Sequence, residues 1–236
     1  MATLLNLMQQ LRLRLDDQGG DTGEPGAGFS YYWEYDSTGC LWSNDELVGH
    51  LNEAENEFCR RVPLIDDKEF RIRTVPGVAH YDLDPVILAV ERVFSTSRGC
   101  PLRKTFHEAS DQQPFRTVPA ARYQASLSDH QLTILGTPID AEVLELTVRR
   151  LPLTPLLWAD RKTQEPEVSA HWAYSLVDYA AYLSWCKRDA DTFSPDNAMG
   201  ALAAFDRLVG PTKSAAEWVW AKSLSNRRPR ARGQFL

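Results

Sequence analysis

Cysteine is scarce in this chain: four residues in 236, at positions 40, 59, 100 and 186. No two stand closer than 19 residues, so the short paired spacing of a zinc site is missing. The count is also too low for a disulfide scaffold, which predicts free thiols in a reducing compartment. The glycine-rich phosphate loops, the HExxH zinc motif and the GxSxG nucleophile turn are all absent from the sequence. The five histidines, at 50, 80, 107, 130 and 171, are scattered, with no two at helical ligand spacing. Long apolar runs are missing too. The stretch after Met1 has no basic residue before its leucines and is broken by Asn6, Gln9, Gln10 and Arg12, so no signal peptide is expected. The most apolar later stretch, Ala170 to Cys186, contains His171 and Asp178 and is too short to span a bilayer.

What remains is an ordinary globular composition, 43% apolar and 25% charged, with a net charge of -6. A chain of this length can bury ~70% of its unfolded surface, and wholesale disorder is excluded. The acidic balance argues against a general nucleic-acid-binding surface but leaves room for a local basic patch.

Leu4, Leu5, Met8, Leu11 and Leu15 recur on one face of a helix over 3–15. Residues 16–30 are glycine-rich and read as a loop. Tyr31, Tyr32, Trp33 and Tyr35 follow as an aromatic cluster, suited either to core packing or to an intersubunit contact. Ser43 and Glu46 have the spacing of a capping box, in which hydroxyl and carboxylate each accept a backbone N–H of the other residue. Leu47, Leu51, Ala54, Phe58 and Val62 then mark a helix that Pro63 stops.

The period changes to two in the middle of the chain. Extended segments are expected at 70–74, 78–83, 86–94, 131–135 and 143–149, with Leu144, Leu146 and Val148 facing inward. Asp66-Asp67 reads as a solvated turn before the first of these. After a proline-containing crossover over 151–166 the helical period returns. Trp172, Leu176, Tyr179, Ala180 and Leu183 form one face, and Ala198, Leu202, Phe205 and Val209 another. Ser194-Pro195 opens the latter helix and Gly210-Pro211 closes it. Ser214 and Glu217 predict one more helix, running through Trp218 and Trp220 to about Leu224.

The expected fold class is α+β: a helical bundle, a small antiparallel sandwich- or barrel-like β insertion between its helices, and an extended C-terminal tail. The predicted divisions are 1–62 and 151–224 for the bundle, 63–150 for the insertion and 225–236 for the tail. Isolated amphipathic helices cannot bury their apolar faces, so the flanking helices must pack together.

Two segments invite chemistry. His80, Asp82 and Asp84 fall on one face of a strand and could hold a divalent cation or act in a metal-assisted hydrolase, although Asp84-Pro85 equally makes a turn. Cys59 beside Arg60 and Arg61 has no histidine in register to activate it, which favours a structural thiol. The last fifteen residues carry Lys222, Arg227, Arg228, Arg230 and Arg232 with no acid, leaving the remainder of the chain at -11. Phe235 and Leu236 end that tail. It suits a nucleic-acid contact, a peptide docking on a protein partner with Phe235 as anchor, or a frayed end.

The order of these signals resembles the bacteriophage head-to-tail adaptor (connector) family. The strings Leu41-Trp42-Ser43-Asn44-Asp45-Glu46-Leu47 and His50-Leu51-Asn52-Glu53-Ala54-Glu55 are similar to that family's opening helix. Val78-Ala79-His80-Tyr81-Asp82-Leu83-Asp84 after Gly77, and Ile134-Leu135-Gly136-Thr137-Pro138, resemble its strands. His171 to Arg188 and Asp196 to Val209 resemble its closing helical pair. The likeness covers about 41–210.

It implies a virion structural protein and not an enzyme, with no cofactor and no metal, assembled in the host cytoplasm and located at the virion neck. Such adaptors form a cyclic homo-oligomeric ring, usually a dodecamer, beneath the portal protein. They contact a downstream tail or stopper protein, and genomic DNA passes through their channel without specific binding. The resemblance makes Arg227, Arg228, Arg230, Arg232, Phe235 and Leu236 the portal-docking tail. Tyr31, Tyr32, Trp33, Tyr35, Trp172, Tyr182 and Trp185 are then candidates for the heterologous patches that close a ring.

Overall fold

A computed structural model of the chain describes residues 2–17, 39–104, 122–126, 130–135, 140–189 and 191–211. The class is α+β, with every strand falling between the second and third helices in chain order. Helix α1 (Leu4–Leu15) starts at Thr3, whose hydroxyl accepts the Asn6 N–H, and ends at Asp16 in the left-handed conformation. Helix α2 (Asn44–Arg61) starts at Ser43, whose Oγ accepts the Glu46 N–H at 3.2 Å. The capping box is half made: the Glu46 carboxylate instead pairs with Lys187 Nζ at 2.9 Å. A long-range ion pair thereby replaces the local return bond.

Eight strands follow among the described residues: β1 (Asp66–Arg73), β2 (His80–Asp82), β3 (Ile87–Ser95), β4 (Cys100–Pro101), β5 (Arg103–Lys104), β6 (Arg122–Ser126), β7 (Gln131–Leu135) and β8 (Val143–Arg150). They form two four-stranded sheets, ordered β1-β8-β3-β4 and β2-β7-β6-β5. All pairings are antiparallel except the short β5–β6 pair, which is parallel and departs from the expected antiparallel set. Leu144, Leu146 and Val148 of β8 are buried, as their alternation requires. They meet Val90 and Val93 of β3, Tyr123 of β6 and Leu132 and Ile134 of β7, so both sheets share one apolar core. Asp66 and Asp67 lie inside β1 rather than in a turn, because Asp67 Oδ2 accepts from Arg150 Nε at 2.7 Å and Arg150 pulls it into the ladder.

The turn before β2 is stapled by its own strand. Gly77 takes φ +83°, which with Pro76 before it matches a type II turn. The Tyr81 hydroxyl donates to Val78 O at 2.8 Å and accepts from Val75 N at 3.1 Å.

Helices α3 (Ala170–Ala173), α4 (Ser175–Trp185) and α5 (Pro195–Val209) complete the chain that is described. Ser194 occupies the N-cap of α5, but its side chain makes no capping bond; its carbonyl accepts Ala198 N–H. Leu7, Met8 and Leu11 of α1, Leu51 and Phe58 of α2, Leu176 and Ala180 of α4 and Phe205 of α5 form a second core. Trp42 is fully buried there, with Trp185 edge-on at 5.3 Å between centroids.

Between sheets and helices runs the crossover 151–169, which has one short 3-10 turn (Trp158–Asp160) and is otherwise irregular. Side chains hold it. Asn52 of α2 donates to Leu156 O at 3.0 Å and accepts from Leu156 N at 2.7 Å. Glu55 accepts the Val168 N–H at 3.0 Å. Arg150 donates to Glu167 at 2.6 Å, and Glu167 Oε1 accepts the N–H groups of Leu153 and Thr154. The start of α1 adds Leu4 N to Gln164 O and Leu5 N to Arg161 O, both at 2.8 Å. An irregular segment must satisfy its backbone groups somehow, and here polar side chains do it.

Candidate functional site

The two sequence candidates for chemistry do not assemble. His80, Asp82 and Asp84 are all exposed. His80 Nδ1 lies 3.1 Å from Thr133 Oγ1 on the next strand, while Asp84 Oδ1 accepts Val86 N–H at 3.0 Å and initiates a turn. Among the described residues no group of three His, Cys, Asp or Glu is placed to hold a metal ion. Cys59 is buried, and desolvation pushes its thiol up to about 12, the opposite of an activated thiolate. All four cysteines are free.

One Ser–His pair does form, between His50 Nδ1 and Ser184 Oγ at 2.9 Å. The Ser184 hydroxyl donates to Ala180 O, also at 2.9 Å, so the imidazole presents Nδ1–H to it. Ser184 is fully buried and has no reach to a substrate. Burial lowers the His50 pKa, which keeps the ring neutral in this role. The pair fastens α2 to α4.

A more suggestive feature lies on the helical face. A cleft of ≈ 730 Å³ opens between α1, the α3–α4 junction and α5. Its apolar lining includes Leu13, Tyr174 and Leu208, which are 49%, 50% and 56% exposed. The Arg14–Asp178 ion pair, at 2.9 Å, is also part of it. Burial raises the Asp178 carboxyl against the opposing pull of Arg14 and Arg207. Three large apolar side chains half in water beside a single ion pair describe a contact surface rather than a reaction centre.

The aromatic candidates divide into two groups. Trp172, Tyr182 and Trp185 are partly buried against the chain's own helical core: Trp172 on Phe58, Trp185 on Trp42 and Tyr182 on Tyr179. All three are partly exposed, and Trp172 also borders the cleft. Tyr31, Tyr32, Trp33 and Tyr35 lie outside the described residues, as do Arg227, Arg228, Arg230, Arg232, Phe235 and Leu236.

Residues on either side of 18–38, namely Asp17 and Leu41 to Asn44, meet at one clamp. Arg12, wholly buried on α1, is ion-paired with Asp17 and donates from Nη2 to Trp42 O and Asn44 Oδ1, both at 2.8 Å. Asp17 Oδ1 in turn accepts Leu41 N–H at 2.8 Å. The sequence reading missed this clamp. The available signal was Arg12 lying in register with Met8 and Leu15 on the apolar face.

The motif strings at 41–47, 50–55 and 77–84 thus supply fastenings: Trp42 to the core, Asn44 to Arg12, Asn52 and Glu55 to the crossover, and Tyr81 to its turn. Structural motifs of this kind identify a fold family more than a chemistry. A family model described as SU10 adaptor protein matches residues 2–229.

The chain belongs to the SU10 adaptor protein family.

The expected likeness to phage head-to-tail adaptors is thereby borne out over nearly the whole sequence. No curated protein matches the chain. SU10 adaptor membership makes this a phage structural adaptor, a class that works by association with portal and tail proteins. Among the described residues of this adaptor, no helix is long and apolar enough to cross a membrane.

Proposed function

We propose that the protein is a head-to-tail adaptor of the virion that forms a ring beneath the portal, extends the DNA channel and presents the attachment surface for the tail. Adaptor-family membership over residues 2–229 is the observation that carries this reading. The helices on either side of the strands act as one bundle (1–62 with 151–224), and the sheets (63–150) form the insertion. Copies meet through the half-open edges of Trp172, Tyr182 and Trp185 and the aromatic cluster Tyr31, Tyr32, Trp33 and Tyr35. Twelve copies are the expected count.

Charge supports the same reading. With the five cations of the last fifteen residues set aside, the body stands at -11. A like-charged wall repels the phosphate backbone and lets DNA pass, whereas a basic one would release counterions and retain it. The cationic residues are gathered instead at Arg227, Arg228, Arg230 and Arg232, ahead of the apolar pair Phe235-Leu236. This tail docks on the portal, with Phe235 as anchor and the arginines as charge partners.

Deletion of residues 225–236 tests the docking. Purified portal rings mixed with the intact chain are expected to gain a collar visible by negative stain, and the truncated chain is expected to leave them bare. Undiminished docking by the truncated chain removes the tail from the account. Phe235→Ala and the fourfold Arg→Gln variant then separate burial from charge.

A further inference from the structure

The cleft beside α1 and α5 has no occupant among the described residues, and the chain's own course supplies one. Helix α5 ends at Val209, and Leu208, one residue earlier, already lines the cleft. The exit is fixed: Arg61 Nη1 donates to Gly210 O at 3.0 Å, and Gly210 takes φ +91°, which turns the chain out of the helical path. From that rim the sequence runs Thr212-Lys213-Ser214-Ala215-Ala216-Glu217-Trp218-Val219-Trp220, ending its apolar character at Leu224.

Ser214 and Glu217 have capping-box spacing, so the segment is suited to start a helix six residues after Leu208. Ten residues of helix, 215–224, extend about 15 Å. Trp220 and Leu224 would share one face of such a helix and need apolar cover, and Leu13, Tyr174 and Leu208 are about half exposed in the cleft. Charge agrees as well: Arg14 is 43% exposed in the cleft, and Glu217 is the segment's one acid.

We propose that residues 212–224 fold back into the cleft of their own chain, with Trp220 and Leu224, four apart on one helical face, seated on Leu13, Tyr174 and Leu208. The seated segment forms the root from which residues 225–236 emerge at a fixed point of the surface. The seating is a property of the free chain and holds or fails independently of portal docking.

Limited trypsin digestion of the full chain tests it, because Lys213 and Lys222 lie inside the segment and the four arginines beyond it. Cleavage is expected first at Arg227 to Arg232, with Lys222 protected, and protection is expected to be unchanged on serial dilution. Leu208→Glu, at a position already 56% exposed, should speed cleavage at Lys222 by about tenfold or more, and Trp220→Ala with Leu224→Ala should do the same. Far-UV circular dichroism confirms that the helices persist in each variant. Equal cleavage at Lys222 and Arg227 in the unaltered chain overturns the proposal, as does protection that survives both sets of substitutions. Protection that disappears on dilution also overturns it, by assigning the cleft to a second copy.

Discussion

Replacing Arg12 by methionine is expected to destabilise the fold by about 3–5 kcal/mol, the cost of leaving a buried carboxylate without its ion partner. Asp17 is 4% exposed and has been drawn out of water to meet this guanidinium. Without it, the Trp42 carbonyl and the Asn44 amide oxygen also lose a charged donor. For a chain of this size the loss corresponds to a fall of roughly 10 °C in Tm. Arg12→Met combined with Asp17→Asn should recover part of it, since the uncompensated charge is then gone. Arg60→Met is the matched control. Arg60 bonds Glu53 at 2.9 Å, but both side chains are about half exposed, and such a pair contributes about 0–1 kcal/mol. Thermal melts of the three variants decide the matter: Arg12→Met no worse than Arg60→Met would mean that the clamp joining Asp17 to Trp42 and Asn44 adds no stability.

The second large effect is one of pH. Glu55 is 1% exposed, and burial pushes its carboxyl up from an ordinary 4.5 to about 7, against the opposing hydrogen bonds from Val168 and Glu167 N–H. The groups facing it are Glu167 from the crossover and Cys59 from its own helix. Between pH 4.5 and 7 the folded protein holds a proton on Glu55 that the unfolded chain has released. Stability therefore falls as pH rises through that window, and is fully diminished above pH 7. The full difference is about 3 kcal/mol. Glu55→Gln keeps an oxygen to accept Val168 N–H and removes the titration. The variant should match the parent near pH 4.5 and exceed it by up to about 3 kcal/mol at pH 8. Urea melts at both values measure this directly. An equal response of parent and variant to pH would show that Glu55 ionises normally.

These two residues also mark where the sequence stopped being legible. Helix α2 was readable because Ser43, the 3.6-residue recurrence from Leu47 to Phe58, and Pro63 all act locally. Strand β8 was readable because its alternation is uninterrupted. Strands β4 and β5 were not, since two-residue strands have no period to detect. The crossover 151–169 carries no pattern because its backbone is satisfied by Asn52, Glu55 and Glu167, and two of these lie a hundred residues away. Glu46 has the spacing of a capping box yet pairs with Lys187, 141 residues on, a partner no local rule includes.

The candidate site was legible to a lesser extent. Trp172 and Tyr179, whose spacing marks one helical face, pack on Phe58 of α2 and Phe205 of α5, while Trp185 meets Trp42. The cleft was invisible beforehand. It arises from Leu13 of α1, Tyr174 between α3 and α4, and Leu208 of α5, which come together only when these helices are packed. His80, Asp82 and Asp84 show the converse: same-face alternation placed them side by side, and the outward orientation of that strand face denied them a pocket.

Imaging the particle that contains this chain tests the central proposal most directly. Three-dimensional reconstruction of the protein bound to portal rings should give a closed ring of cyclic symmetry coaxial with the portal, twelve copies being the expected count, with Phe235 and Leu236 against portal density. Single copies attached at scattered positions, or a ring whose last twelve residues touch nothing, would contradict it.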